Sequence, residues 1–390
     1  LDLADRLSTG RGFAGIDNIW HKHDGSVVQT PLRALAQDLD SYPSPDYDLR
    51  GHLVLHDGRI RPMSEALLMY YLRWPYTSDS PITYSTMMSR GCTYNCTYCC
   101  NNALRRVYQH QWRVRRRSVS SLIDELAQIT HRFPGIQWIT IEDDVFLADV
   151  NTLREFVSRY KEAIGLPLFV TGFQPSMVDE ERVGLLISAG MKRARVGIQT
   201  GSMRCMHEVY RRPTKAEQLA RTFAVFHQFA DRMDPPMYDI IIDNPWETEK
   251  EVLETIRMFV DVPKPYHMVL YSLTFFPGTE LYDRAKREGI VKDDLLQVYR
   301  KFYMANRRTY ANGLFKLLQS QREPRWMMLL LLRDGVRSRG WVWLPFLLDR
   351  MFRLEDLAGA GWRAILLRDW GAFRRFYRAH LRPRSAPIRS

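Results

Sequence analysis

Four of the five cysteines in the 390-residue chain stand within nine positions, at Cys92, Cys96, Cys99 and Cys100, while Cys205 is remote. Cys92, Cys96 and Cys99 make the spacing C-x3-C-x2-C, which can fold three thiolates around one metal centre. An iron–sulfur cluster usually takes four cysteines, so three would leave one iron open to an outside ligand. A disulfide framework does not suit cysteines this crowded in a chain this large. A structural zinc ion needs four ligands, usually in paired Cys or His groups. No second pair exists; Cys100 is badly placed beside Cys99, and His110 is left as a fourth ligand for that alternative. Inert buried thiols are the third reading.

Other groups able to do chemistry stand where apolar runs end. Trp138–Ile141 leads into Glu142-Asp143-Asp144, and three carboxylates leaving an apolar strand need a cation or solvent, because unpaired buried charge is costly. Thr171-Gly172-Phe173-Gln174 offers Gln174 as a contact. Gln199 can both donate and accept, between Gly197 and Gly201, which allow close backbone approach. Arg211, or its neighbour Arg212, can pair with a carboxylate through two parallel bonds.

Such groups work together only if the chain brings the ends of those runs to one place. From Pro81 to Glu288 the β-rich runs are Ile82–Met87, Trp138–Ile141, Leu168–Thr171, Ala194–Ile198, Met237–Ile242 and Met268–Phe275. Helical patterns lie between them, around Val119–Arg132, Val150–Ile164, Glu180–Ala189, Lys215–Phe229 and Thr248–Val260. Repeated strand–helix units call for parallel strands with right-handed crossovers. The expected fold class is therefore α/β, a partial (β/α)6 barrel. Loops at the C-terminal ends of barrel strands form active sites, and the cysteine loop follows the first strand.

With Tyr98 just before its last cysteine, the C-x3-C-x2-C segment resembles the radical S-adenosylmethionine (SAM) enzymes. The resemblance implies a [4Fe–4S] cluster on Cys92, Cys96 and Cys99, whose open iron chelates SAM through its amino and carboxylate groups. An electron then cleaves SAM into methionine and a 5′-deoxyadenosyl radical. Tyr98 would border the adenine. Glu142, Asp143 and Asp144 hold the place of the segment that meets the SAM amino group, although the glycines usual there are missing. Leu185–Met191 followed by Arg195-Val196-Gly197-Ile198-Gln199-Thr200-Gly201-Ser202 is similar to a family signature whose Gln or Glu meets SAM. Arg211 matches an arginine that contacts the SAM carboxylate in some members. Tyr238–Thr248 is similar to "Asp-x-Ile-x-Gly-x-Pro-x-Glu-Thr", making Asp239 a further SAM contact. That segment departs from the pattern at Trp246 and at Asp243, where an Asp could narrow the pocket or bond a substrate. Pro277-Gly278-Thr279 completes a resemblance running from about Pro81 to Gly289. No residue is assigned to the chemical step on the substrate.

The acidic-acidic-x-Phe form and the Pro-rich stretch Asp38–Leu49 look like the cobalamin-linked class of the family. In that class methyl transfer to an unactivated carbon is common. Cobalamin is thus an expected cofactor, although its domain is not in these residues. Cyclisation or rearrangement without methyl transfer is the alternative, and a zinc-bearing interaction module the alternative of another class. The resemblance also implies an electron donor such as a flavodoxin or ferredoxin, and leaves the substrate open among small molecules, peptides and lipids.

Composition fits a folded chain, 45% hydrophobic and 26% charged. The expected divisions are an N-terminal extension at 1–80, the barrel at 81–290 and a basic, Trp-rich helical region at 291–390. Residues 300–390 hold 20 Lys or Arg against 6 Asp or Glu, a balance of +14, so the net charge of +12 leaves residues 1–299 near −2. Basicity therefore belongs to the tail. Trp326–Leu332 is apolar on every face and must be buried or in lipid; Trp341–Leu348 repeats the pattern, and Trp362 and Trp370 lie beyond it. These mixtures suit either a helical cap on the barrel or peripheral membrane contact through residues 320–390. Nucleic acid is not expected, because the aromatics are embedded among aliphatics rather than displayed for stacking. No apolar run reaches bilayer length, and clustered cysteines fit a reducing cytoplasm.

Overall fold

The computed structural model describes residues 2–12, 15–73, 80–146, 149–304, 306–337 and 342–351. Six strands form one sheet: β1 (Thr83–Thr86), β2 (Trp138–Ile141), β3 (Leu168–Phe173), β4 (Met191–Gln199), β5 (Met237–Ile242) and β6 (His267–Ser272). They lie in chain order across the sheet, and every neighbouring pair is parallel. Sequential order with a helix at each crossover is the open, partial-barrel arrangement that the alternating sequence pattern implies.

The helices begin where the sequence supplies a cap. Before the first full crossover comes α1 (Cys100–Tyr108), which springs directly from the cysteine loop. Ser118, Asp149 and Asp179 then cap α2 (Val119–Arg132), α3 (Val150–Ala163) and α4 (Glu180–Ser188) by accepting from first-turn amides. After α5 (Ala216–Gln228), Thr248 and Glu251 form a reciprocal capping box on α6 (Glu249–Val260). Each cap satisfies amides that the helix cannot, at about 1 kcal/mol apiece. After β6, Thr279 caps α7 (Glu280–Arg287) and Thr309 caps α8 (Tyr310–Ser320), which is followed by α9 (Arg325–Leu331).

Strand alternation sorts the side chains. Ala194, Val196 and Ile198 of β4, Tyr238, Ile240 and Ile242 of β5 and Met268 and Leu270 of β6 join the helices in one core. The intervening positions, Arg193, Arg195, Gly197 and Gln199, face the concave side. Within the core Phe223, Tyr238, Phe259 and Tyr266 meet at centroid distances of 5.0–6.1 Å. Each such ring stabilises by roughly 1.5–3 kcal/mol through burial.

The C-terminal helices belong to the same core. Leu314, Phe315, Leu317 and Leu318 of α8, and Met328, Leu331 and Leu332 at α9, are all buried in it. The all-apolar stretch is therefore only half covered: Trp326 is 67% exposed, and Leu329 and Leu330 are also on the surface. A short helix over 344–351 follows, with Leu344 and Leu348 packed on the core. Trp341, Trp362 and Trp370 lie outside the described residues. Among those described, no helix is long and apolar enough to cross a membrane.

At the N-terminus, Trp20–His23 and Ser26–Gln29 pair as a hairpin around Asp24-Gly25, and Leu53–His56 pairs with Arg59–Pro62 around Asp57-Gly58. All four turn residues have positive φ, as type I′ turns require.

Asp243, the departure from the family pattern, serves the fold. It sits at the end of β5 with φ 60°, and its carboxylate accepts from Asn312 Nδ2 at 2.7 Å and the Arg307 amide at 3.2 Å. It is not among the residues lining the cavity shared by Tyr98, Gln199 and Asp239; it ties the start of α8 to the barrel. Hydrogen bonds to a charged group contribute about 1.5–3 kcal/mol. Asp243→Gly should therefore speed amide hydrogen exchange over Arg307–Asn312 by about tenfold or more while sparing β4 and β5. Unchanged protection in that segment would remove this role.

Candidate active site

The cysteine loop lies between the end of β1 and α1, clamped from both sides. On one side the Thr97 amide donates to Tyr210 O at 3.1 Å and its hydroxyl to Val209 O at 2.6 Å. On the other, Trp112 Nε1 and Arg105 Nη2 both reach Cys92 O at 3.3 Å. Asn102 of α1 bonds Asn95 within the loop at 2.9 Å and receives the Glu280 amide at 2.9 Å. The loop is thus locked to the start of α7, beside the Pro277-Gly278-Thr279 turn.

Cys92 and Cys96 are buried and Cys99 half-buried, whereas Cys100 is exposed. Burial pushes the Cys92 thiol up to about 11, and the neighbouring Cys96 and Cys99 raise it further. Burial also raises Cys96, against the opposing pull of Arg212. Cys99 is lowered, first because the Cys100 thiol donates to it and then because the Asn101 amide points at it; it also stands at the N-terminus of α1, where the helix dipole favours a thiolate. Two of the three sulfurs would hold their protons at neutral pH unless a metal displaced them.

Among the three carboxylates after β2, the structure separates the roles. Asp143 is 3% exposed and accepts from the Met88 amide at 2.7 Å and Ser89 Oγ at 2.6 Å, tying the β2 exit to the β1 exit. Glu142 is exposed, accepts from Ser85 Oγ at 3.2 Å and opens onto a lateral groove. Asp144 is the one whose charge is felt by Cys92, Cys99 and Cys100.

The arginine that enters the site is Arg212, not Arg211. Arg211 has φ 51°, is 54% exposed at its side chain and pairs outward with Glu280 at 2.6 Å. That left-handed turn sends the next side chain inward. Arg212 is 3% exposed and donates to Gln174 Oε1 at 2.6 Å and Gly197 O at 2.7 Å. Its other terminal nitrogen meets Tyr98 Oη at 3.3 Å and Cys96 Sγ at 3.9 Å, and its Nε is buried without a partner. A Cβ at Gly197 would stand 2.7 Å from Gln199 Nε2 and 3.5 Å from Arg212 Nη2, so any larger residue would have to push the Gln199 amide aside.

Tyr98, Gln199 and Asp239 come together around a cavity of ≈ 230 Å³, with Ile241, Tyr271 and Tyr303 among its other walls. Asp239 is already engaged: both its oxygens accept from Arg195 Nε at 2.9 Å, and Arg195 also bonds Tyr271 Oη. Arg195, Tyr271 and Tyr303 were not singled out from sequence. The alternation of Arg193, Arg195, Gly197 and Gln199 with apolar residues was the available signal for Arg195; nothing comparable marks Tyr303, which follows the barrel. The loop carrying Gln199 is held by Thr200, which donates to Glu247 at 2.7 Å, and by Thr255 Oγ1, which accepts the Gly201 amide at 2.7 Å.

Residues 86–259 match the model of the Radical SAM superfamily. It is 28% identical over 287 residues to an uncharacterized methyltransferase of Pyrococcus horikoshii, covering 73% of this chain and 55% of the relative. It is 28% identical over 192 residues to the cytidylyl-2-hydroxyethylphosphonate methyltransferase of Streptomyces wedmorensis, covering 48% and 32%. In fold it is similar to the radical SAM methyltransferase TsrM of Kitasatospora setae, solved with cobalamin and a [4Fe–4S] cluster (TM-score 0.51, 20% identity) and with tryptophan and a SAM analogue (TM-score 0.55, 21% identity). Both structures are matched over 74% of this chain and 52% of theirs. The chain therefore spans about half, or less, of the length of these relatives.

A radical SAM domain implies a [4Fe–4S] cluster and SAM, and the donor set fits. Three mutually close thiols of low exposure share one loop, beside a buried guanidinium with an unused N–H and a facing carboxylate. The family match over residues 86–259, which includes all three cysteines, favours the cluster over the zinc-bearing alternative.

Two predictions follow from the supports of the site. Gly172 has φ 76°, and a Cβ there would stand 2.1 Å from Asp143 O. Gly172→Ala should cost at least about 1–2 kcal/mol from backbone conformation alone and displace Asp143 and Asp144. A lowered thermal midpoint together with reduced iron loading is expected; wild-type values for both would refute the contact. Glu247 is pushed up to about 7, chiefly by burial. Its ordinary value is lower, so it favours the fold below about 4.5, and that contribution is lost as pH rises through 7. Glu247→Gln should raise the thermal midpoint relative to wild type at pH 8 and not at pH 5. Equal shifts at both would exclude the ionisation.

Proposed function

We propose that this chain is the SAM-cleaving part of a cobalamin-dependent methyltransferase acting on an unactivated carbon. The observation that carries the reading is the clamped loop of three cysteines at the β1 exit, faced by Asp144 on one side and Arg212 on the other. When bound, the cluster supplies the electron that splits SAM into methionine and a 5′-deoxyadenosyl radical. Cys92, Cys96 and Cys99 hold it as thiolates, and the buried loop keeps water from the open iron. Asp144 takes the SAM ammonium, being the carboxylate whose charge Cys92 and Cys99 feel. The positive charge of Arg212, held beside Tyr98 and Cys96, attracts the SAM carboxylate. Tyr98, Gln199 and the Arg195–Asp239 pair orient the nucleoside in the ≈ 230 Å³ cavity. This division follows the general rule that the cofactor carries the hard chemistry while the protein binds and orients.

Methyl transfer is supported by the names of the two curated relatives and by TsrM; no described residue by itself selects cobalamin. An electron donor such as a flavodoxin or ferredoxin is part of the proposal. The decisive assay is anaerobic reconstitution of the full chain with iron and sulfide, followed by reductant, SAM labelled on its methyl group, and added cobalamin. About four irons per chain, 5′-deoxyadenosine and label on cobalamin are expected, and Ser at any one of Cys92, Cys96 or Cys99 should abolish SAM turnover. Deoxyadenosine without label transfer would support a non-methylating radical enzyme instead. Colourless protein with one zinc and no SAM turnover would end both.

A further inference from the structure

Arg212 does more in this arrangement than hold a carboxylate. Its Nη2 is committed to Gln174 Oε1 at 2.6 Å and Gly197 O at 2.7 Å, which pin the guanidinium to the β3 and β4 exits. Its backbone amide is bound to Met206 O at 2.9 Å. The guanidinium lies over the Tyr94 ring, 5.4 Å from its centroid, and Nη1 is shared between Tyr98 Oη at 3.3 Å and Cys96 Sγ at 3.9 Å. Among the described residues no carboxylate forms an ion pair with it. The result is a permanent positive charge, 3% exposed, held rigidly against one cluster sulfur.

We propose that Arg212 sets the reduction potential of the cluster, acting through Cys96 as a positioning residue. The inference rests on the reading above, that Cys96 ligates a [4Fe–4S] centre. Reduction adds one electron, and so one negative charge, to the cluster. A fixed cation and an N–H directed at a ligating sulfur stabilise the reduced form more than the oxidised one, and hydrogen bonds to cluster sulfurs are a recognised determinant of potential. Burial strengthens the effect, because little solvent screens it. Arg211 supplies a contrast: its charge is adjacent in sequence, points to solvent and is neutralised by Glu280.

The test is an electron paramagnetic resonance redox titration of reconstituted protein without SAM, so that binding of the SAM carboxylate plays no part. Arg212→Gln should make reduction less favourable by about tenfold or more, a downward shift of about 59 mV for one electron. Arg212→Lys keeps the charge without the planar fork and should fall between that variant and wild type. Arg211→Gln should titrate as wild type. Should the Arg212 variants fail to load iron, the wild type answers alone. Grown with isotope-labelled arginine, it should show a weakly coupled guanidinium nitrogen in pulsed spectra of the reduced cluster. An intact cluster whose potential ignores Arg212→Gln, or a wild type lacking that coupling, overturns the inference and leaves the proposed function standing. A wild type that forms no cluster overturns the function itself.

Discussion

A buried guanidinium, Arg212, with no carboxylate partner among the described residues is the constraint around which this site is built. Burying an ion costs several kcal/mol even after relaxation, and Arg212 recovers part of that from Gln174, Gly197 O and the Tyr94 face. Those partners are neutral. The remaining compensation must come from negative charge at the cysteine loop, yet burial raises Cys92 and Cys96 so that they stay protonated on their own. Each half of the site is costly without the other. Metal-bound thiolates would settle both costs together, since coordination would displace the thiol protons and place anionic sulfur beside the cation.

Such a balance demands that three strand exits stay in register, and the polar contacts near the site serve that end. Asp143 joins the β2 exit to Met88 and Ser89 beyond β1. Gly172 lets β3 approach the same segment closely enough that any side chain would collide with Asp143 O. Gly197 clears the space in which Gln199 and Arg212 pass each other, and Thr200 and Thr255 fix the next turn against α6. The cysteine loop is then anchored from outside the sheet, by Thr97 to the turn carrying Tyr210 and by Asn102 to α7. None of these groups touches the cofactor in the proposed reading, but each sets the distance between groups that do.

What could be read from sequence divides along the same line. Strands β2 and β5 and helix α2 have the boundaries their apolar periodicity implies, because burial on a sheet or helix face is a local pattern. The six-unit order and the cysteine loop were legible for that reason. The choice between Arg211 and Arg212 was not, because it turns on one residue adopting φ 51°, which no arginine advertises. The sorting of Glu142, Asp143 and Asp144 likewise depends on which amides lie opposite after the sheet has formed. The second hairpin, Leu53–Pro62, did carry a signal: Asp57-Gly58 is the same turn dipeptide as Asp24-Gly25.

The segment after β6 marks where likeness to the family stops informing the site. Tyr303 forms one wall of the cavity; its carbonyl accepts the Ser272 amide at 2.7 Å and its ring stacks on Tyr271 at 5.6 Å. Lys301 bonds Leu273 O across the same strand end, and Asp243 holds the far end of this arch through Arg307 and Asn312. Every one of these contacts joins a barrel residue to one beyond the repeating units. The wall facing Tyr98 is therefore built by residues with no counterpart in the SAM-binding pattern. Asp243, which departs from the pattern the sequence resembles, is the anchor that holds it there. In the proposed reading the groups below this wall hold the cluster and SAM, which leaves the wall itself to meet a substrate.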